Sequence, residues 1–214
     1  MSHCSTFDIK FRDKHILFKA MRNLNLQPEN RVWEQYRTIL GKLVLGRLGI
    51  EEKSLGMLLT GYYDKINIFF LPQENGELKL SMESHVFSPD QIQLKGQNLA
   101  HALQKEYVKS ALYQLQKSLI ESGQSVRLET EEKSEEIIHT LFIGDQGKKL
   151  VVKLHPEGVV SEQVEGYVGK SCADLTAVLE NSMTTEAQRE WASEQTEVMN
   201  NQEVQVLRLN NIDL

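Results

Sequence analysis

The sequence is short of the features that most often announce a chemistry. Only two cysteines, Cys4 and Cys172, occur in 214 residues, and they stand far apart. Two thiols cannot build a structural zinc site alone, and without secretion a disulfide between them is not expected. Basic residues do not prevail: 24 lysines and arginines face 30 aspartates and glutamates, a formal charge of −6. Binding a phosphate backbone ordinarily needs a basic stripe that releases counterions. No such stripe is found, so nucleic acid is not an expected partner. The longest greasy stretch, Ile39 to Ile50, is interrupted by Lys42 and Arg47. It is too short to span a bilayer, so no membrane partner is expected either. The opening MSHCSTFDIKFRDKH lacks the apolar run of a secretory signal, and the expected location is the cytoplasm or an equivalent reducing compartment.

What is present is the composition of an ordinary folded protein, 40% hydrophobic and 25% charged, too apolar for wholesale disorder. Phe7, Ile9 and Phe11 alternate with polar neighbours and predict a half-buried strand. Asp13 then reads as the cap of a helix whose apolar positions are Ile16, Leu17, Ala20, Met21 and Leu24, with Pro28 beyond its end. Residues 31–60 read as a helix on Val32, Tyr36, Leu40 and Leu43, against glycines at 41, 46, 49 and 56 that argue for broken structure. In KINIFFLPQENGELKLSME, Asn75-Gly76 between two apolar runs is the signal of a β-hairpin. From about Ile92 to Glu121, Leu99, Leu103, Tyr107, Ala111, Leu115 and Leu119 recur every four places, a long amphipathic helix stopped by Gly123. SVRLET and IIHTLFI make a second hairpin around the acidic run EEKSEE, whose charges read as a solvated turn.

These elements predict an α+β fold for residues 1–147, a mainly antiparallel sheet with helices on one face in the order β-α-β-β-α-β-β. Residues 148–183 read as a small C-terminal ββα unit. Its hairpin turns at His155-Pro156-Glu157-Gly158, proline at the second place and glycine at the fourth, and its helix starts near Ser171. About forty residues bury too little surface to stand alone, so this unit is expected to dock through the apolar faces of LVVKL and LTAVL. Residues 184–214 form a polar tail with Trp191 as its main anchor and a terminal run, EVQVLRL, that alternates like a strand.

The stretch VEGYVGKSCADL contains Gly169-Lys170-Ser171, the ending of a phosphate-binding P-loop. A P-loop also needs a glycine five places before its last one, and Val164 stands there. The context fails too, because a P-loop joins a buried parallel strand to a helix. Ser171 with Asp174 reads instead as a capping pattern, leaving Gly169, Lys170 and Ser171 as a weak anion site at a helix start. Cys172 lies in that first turn beside Lys170, where a thiol is acidified; the competing reading is a small side chain filling space. The histidines at 3, 15, 85, 101, 139 and 155 lack His-x-x-x-His spacing. His3, Cys4 and His15 could share a metal only if strand and helix fold back together. No metal and no cofactor is expected.

Two resemblances add to this. The opening MSHCSTFDIKFRDKHILFKAMRNLNL, with the later LAHALQKEYVKSALYQLQKSLIESG and the hairpin after it, resembles the chloroplast and cyanobacterial open-reading-frame thirty-five family (domain of unknown function twelve fifty-seven). Residues 30–60 depart from that pattern, and Cys4 stands where the family has phenylalanine. The stretch LVVKLHPEGVVSEQVEGYVGKSCADLTAVLEN resembles a second small family (domain of unknown function twenty-nine ninety-seven) through Pro156, Gly158, Gly166, Gly169, Ser171, Cys172, Thr176 and Leu179. Members of the two families are encoded side by side and near AAA+ ATPases that remodel other proteins. The resemblance therefore implies parts of one assembly.

The reading that follows is a non-enzymatic adaptor or subunit of a multi-protein assembly, working with a protein partner such as an AAA+ ATPase. The partner-binding residues expected are Trp191, Val204, Val206 and Leu207, in a tail that folds on contact. The alternative is a thiol-dependent enzyme or redox sensor centred on Cys172.

Overall fold

The structure is a computed structural model of the chain and describes residues 3–8, 10–26, 46, 59–84, 86–134, 136–144, 147–166, 170–184 and 188–191. Along these residues run β1 (His3–Asp8), α1 (Lys14–Asn23), β2 (Leu59–Tyr63), β3 (Ile66–Pro72), β4 (Leu78–Glu83), α2 (Pro89–Glu121), β5 (Val126–Glu132), β6 (Ile137–Ile143), β7 (Lys148–Leu154), β8 (Val159–Glu165), α3 (Lys170–Met183) and β9 (Gln188–Trp191). The fold is α+β with two antiparallel sheets. The chain divides into two compact units, one of residues 1–10 and 108–211, the other of residues 11–107 and 212–214. α2 contributes its first part to the second unit and its last part to the first.

The first unit is built on a six-stranded sheet in the order β5-β6-β7-β8-β1-β9. Its strands alternate as one-faced strands do: along β6 every second residue from Ile137 to Ile143 is buried, the others half-buried. Leu150, Val152 and Leu154 of β7 and Val160 and Val164 of β8 continue the buried face. Ala111, Leu112 and Leu115 of α2 and Leu175, Leu179 and Met183 of α3 complete this core. The two predicted hairpins are both present. The Lys133 N–H donates to Glu136 O at 2.8 Å across the acidic turn, and the Gly158 N–H to His155 O at 3.0 Å in the proline turn, with Gly158 at φ 80°. α2 ends as predicted at Gly123, at φ 87°. Its N–H donates to Ile120 O at 2.9 Å and that of Gln124 to Leu119 O at 3.0 Å, the paired closure of a Schellman motif. β7 pairs with β6 across Gly147, so the sheet is continuous where the sequence divides a first domain from a ββα unit. β9, in the segment read as a polar tail, adds to β1.

The second unit holds a three-stranded sheet, β2-β3-β4. The hairpin at Asn75-Gly76 is present, with Gly76 at φ 81° and its N–H donating to Gln73 O at 3.0 Å. β2 corrects the sequence reading, because Leu59 and Thr60 lie in a strand rather than at the end of a helix; the rest of that predicted helix, apart from Gly46, lies outside the described residues. β2 reaches β3 through Asp64-Lys65, both at positive φ (44° and 65°), the two-residue turn that matches strand twist. The first strand is also shorter than expected, ending at Asp8. Phe11 belongs to this second unit, packing edge-on against Phe70 (5.8 Å) and Tyr107 (5.1 Å).

α1 is capped as predicted: Asp13 Oδ1 accepts the N–H groups of His15 at 2.8 Å and Ile16 at 3.0 Å. It ends at Asn25, in the left-handed region at φ 56°. The Tyr107 hydroxyl accepts the backbone N–H groups of Arg12 (3.1 Å) and Asp13 (2.8 Å), tying the entrance of α1 to α2. Burial pushes the Tyr107 phenol up to about 12, against the pull of those two donors. No helix among the described residues is long and apolar enough to cross a membrane.

Candidate functional site

The six-stranded sheet carries two buried titratable side chains, His139 and Glu162, in one cross-strand row. Register puts Thr130, His139, Val152, Glu162, Ser5 and Arg189 in a single row that crosses β5, β6, β7, β8, β1 and β9. The rows on either side within β6, β7 and β8 are apolar: Leu141, Leu150 and Val164, then Ile137, Leu154 and Val160. His139 is 3% exposed and Glu162 1%. Thr130 Oγ1 lies 2.9 Å from His139 Nδ1, which fixes the ring against the edge strand. Val152 separates His139 from Glu162, and strands two apart stand about 10 Å from each other. Acid and imidazole are therefore not a catalytic pair, and neither meets solvent. Thr176 and Glu180 of α3 are buried as well.

A second feature faces solvent. The β5–β6 and β7–β8 turns lie at the same end of the sheet and enclose an open cleft lined by Lys133, Ser134, Glu136, His155, Pro156 and Glu157. His155 Nε2 lies 3.3 Å from Ser161 Oγ. Charges of both signs on two turn tips suit polar contact with another macromolecule better than enclosure of a small substrate.

Three of the predicted site residues open α3. Lys170, Ser171 and Cys172 are its first three residues, so the helix begins one residue before the start read near Ser171; their side chains, and Gly169, lie outside the described residues. Just before, Gly166 at φ 77° closes β8. A Cβ there would meet Lys148 Cα at 3.1 Å and Gly147 O at 3.2 Å, so backbone approach demands glycine. A Pro-x-Gly hairpin, a close-packed glycine turn and a helix thus follow one another. Residues 150–196 match DUF2997, a family of proteins of unknown function. The DUF2997 region takes in most of β7 and all of β8, α3 and β9. No curated protein and no solved structure matches the chain.

Within the DUF2997 region Trp191 ends β9 opposite His3. Val204, Val206 and Leu207 lie outside the described residues, as do the side chains of His3 and Cys4. Among the described residues no group of three His, Cys, Asp or Glu side chains could hold a metal ion. The sequence reading missed His139 and Glu162. The signal was there in principle, since each breaks an apolar alternation at a core-facing place, in IIHTLFI and in VVSEQVE.

Large apolar side chains stay exposed in the second unit. Tyr62 and Tyr63 precede the Asp64-Lys65 turn, and Val86 and Leu94 are each 63% exposed. They gather at one corner: Ser84 Oγ donates to Lys65 O at 2.7 Å, and Lys95 pairs with Asp64 while lying 4.7 Å over the Phe87 ring.

Proposed function

We propose that this protein is a non-enzymatic adaptor or subunit of a cytoplasmic multi-protein assembly, engaging a protein partner of the AAA+ ATPase kind. The observation that carries the reading is the apolar corner of Tyr62, Tyr63, Val86 and Leu94. Exposed apolar residues clustered beside a turn, with a charged rim of Asp64, Lys65 and Lys95, are the ordinary make-up of a protein–protein contact. The resemblance of about the first two thirds of the chain to the open-reading-frame thirty-five family, joined to a stretch that matches DUF2997, supports parts that act together.

The test is recovery of partners by tagged protein from its native cells, alongside a Val86→Asp/Leu94→Asp variant whose fold is checked by circular dichroism. The expected result is a stable partner with ATPase activity whose recovery falls at least tenfold in the variant. Recovery of no partner by protein that turns over a metabolite overturns the reading.

A second reading, a thiol-dependent enzyme or redox sensor, draws on the position of Cys172 as the third residue of α3, where the helix dipole favours thiolate. Iodoacetamide reactivity followed against pH tests it. An apparent thiol pKa at or above the ordinary value of about 8.5 removes its basis. Gly169, Lys170 and Ser171 are the corresponding weak anion site, and calorimetry with phosphate reads it directly.

A further inference from the structure

β5 ends the six-stranded sheet, and among the described residues no strand lies beyond it. The Gly144 N–H donates to Ser125 O at 2.7 Å and the Lys133 N–H to Glu136 O at 2.8 Å. With Val126 opposite Ile143, the odd-numbered residues of β5 therefore turn their backbone groups to β6, as an antiparallel ladder alternates. Val126, Leu128, Thr130 and Glu132 turn theirs outward. The Gln116 side chain marks that direction, its Nε2 donating to Val126 O at 3.4 Å. Arg127 and residues 129–132 are exposed and Leu128 is half-buried, so this seven-residue edge is open along its length. An open edge is a template for another strand, and its charges decide which strand fits.

We infer that β5 is a self-association edge, pairing antiparallel with β5 of a second copy of this chain about Leu128. In that register Leu128 faces Leu128 and Val126 faces Thr130, the Val126 carbonyl having a second lone pair for the incoming N–H. Arg127 of each copy faces Glu129 of the other in a non-hydrogen-bonded pair, where side chains come closest. Both already lie on one face of β5, with Arg127 Nη1 2.6 Å from Glu129 Oε1 and Arg127 Cζ 4.6 Å over the Phe142 ring. Two copies thus bring together four charges of alternating sign. Other registers meet repulsion. Centring the pair on Arg127 or on Glu129 sets that residue against itself, and centring it on Thr130 sets Glu129 against Glu131, like charges that oppose pairing. The axis is two-fold, so the contact closes at a dimer and joins two six-stranded sheets into one. So short a strand pair buries less than the roughly 1,000 Å² of a firm interface, which makes the dimer weak and concentration-dependent. The inference does not rest on the adaptor reading.

Sedimentation equilibrium on the full chain tests it. The wild-type chain is expected to dimerise in the micromolar range. Arg127→Glu and Glu129→Arg change side chains that are 68% and 52% exposed, so the fold should survive, which circular dichroism checks. Each alone is expected to weaken dimerisation at least about tenfold, because like charges then meet across the axis. Mixed, the two variants are expected to associate with each other to within about threefold of the wild-type affinity. Opposite charges meet again across the axis in that mixture, while the ion pair within each chain stays broken. A wild-type chain monomeric at every attainable concentration, single variants that dimerise like wild type, or a mixture that stays monomeric overturns the inference. Should either variant fail to fold, Leu128→Pro decides: it removes an outward N–H from an edge strand, where proline is tolerated, and must abolish the dimer while β6 amides stay protected from hydrogen exchange.

Discussion

In the six-stranded sheet β6 alternates buried and half-buried residues from Ile137 to Ile143, whereas in the three-stranded sheet β3 buries five residues in succession from Ile66 to Phe70. The first strand has one covered face and the second has two. The polar groups follow the same division. Where one face is covered, His139 and Glu162 are gathered into a row across the sheet. Where both are, Thr60 and Asn67 are buried on neighbouring strands, and the Tyr107 hydroxyl serves as a clasp between elements.

The sharpest way to break this contrast is to remove one side chain from each strand. Phe70, fully buried and edge-on to Phe11, should cost about 3–5 kcal/mol on replacement by alanine. Ile138→Ala, on the half-buried face of β6, should cost about 1 kcal/mol or less. Equal losses in denaturant unfolding would mean that the two sheets are covered alike.

Next in size is Tyr107→Phe, which leaves the Arg12 and Asp13 N–H groups without their acceptor and should cost about 1–3 kcal/mol. The same hydroxyl gives an alkaline signature. Its pKa is pushed up to about 12 when folded and lies near 10 when unfolded. The unfolded chain thus holds fewer protons above pH ~10, and stability, intact below that pH, falls as pH rises through the interval. Phenolate absorbance during alkaline titration should show one tyrosine that ionises only with unfolding, absent in Tyr107→Phe.

Two turn substitutions of opposite sign come after. Gly123→Ala, at φ 87°, should lower stability by about 1 kcal/mol. Lys65→Gly, at φ 65°, should raise it by a similar amount, because a lysine there bears strain that glycine does not. Thermal melts of the two variants, shifting in opposite directions, check both.

The smallest effect concerns His101, whose pKa is lowered by partial burial and then by Lys105. The unfolded chain takes up the proton first as pH falls through about 6.5, so stability rises with pH across that interval and is level above it. His101→Gln should flatten the slope between pH 5 and 7.

The same contrast explains what the sequence made legible. β5 to β8 were readable because one covered face writes a period of two, and because EEKSEE and His155-Pro156-Glu157-Gly158 mark their turns. The ends of α1 and α2 were readable from Asp13 and Gly123. β2 was not, since Gly61 interrupts its pattern and Asp64-Lys65 lacks the glycine that usually announces a two-residue turn. Its glycine has a reason visible only in three dimensions: a Cβ there would lie 2.7 Å from Met21 Cε. At α3 the helix begins at Lys170, one residue before the start read near Ser171. The buried row was illegible because its members come from six strands, and a row is a property of register.

The position of β1 between β8 and β9 has a consequence in time. Its partner on one side, Val159–Glu165, is more than 150 residues downstream. On a ribosome adding about 5–20 residues per second, β1 waits roughly 8–30 s for that neighbour to be made. The β5–β8 meander, by contrast, can zip up by successive short hairpins. β1 is thus among the last strands of this sheet to find its place, entering as a late insertion beside a finished four-stranded meander, and a chaperone shielding residues 3–8 in the interval should raise the yield of native chain.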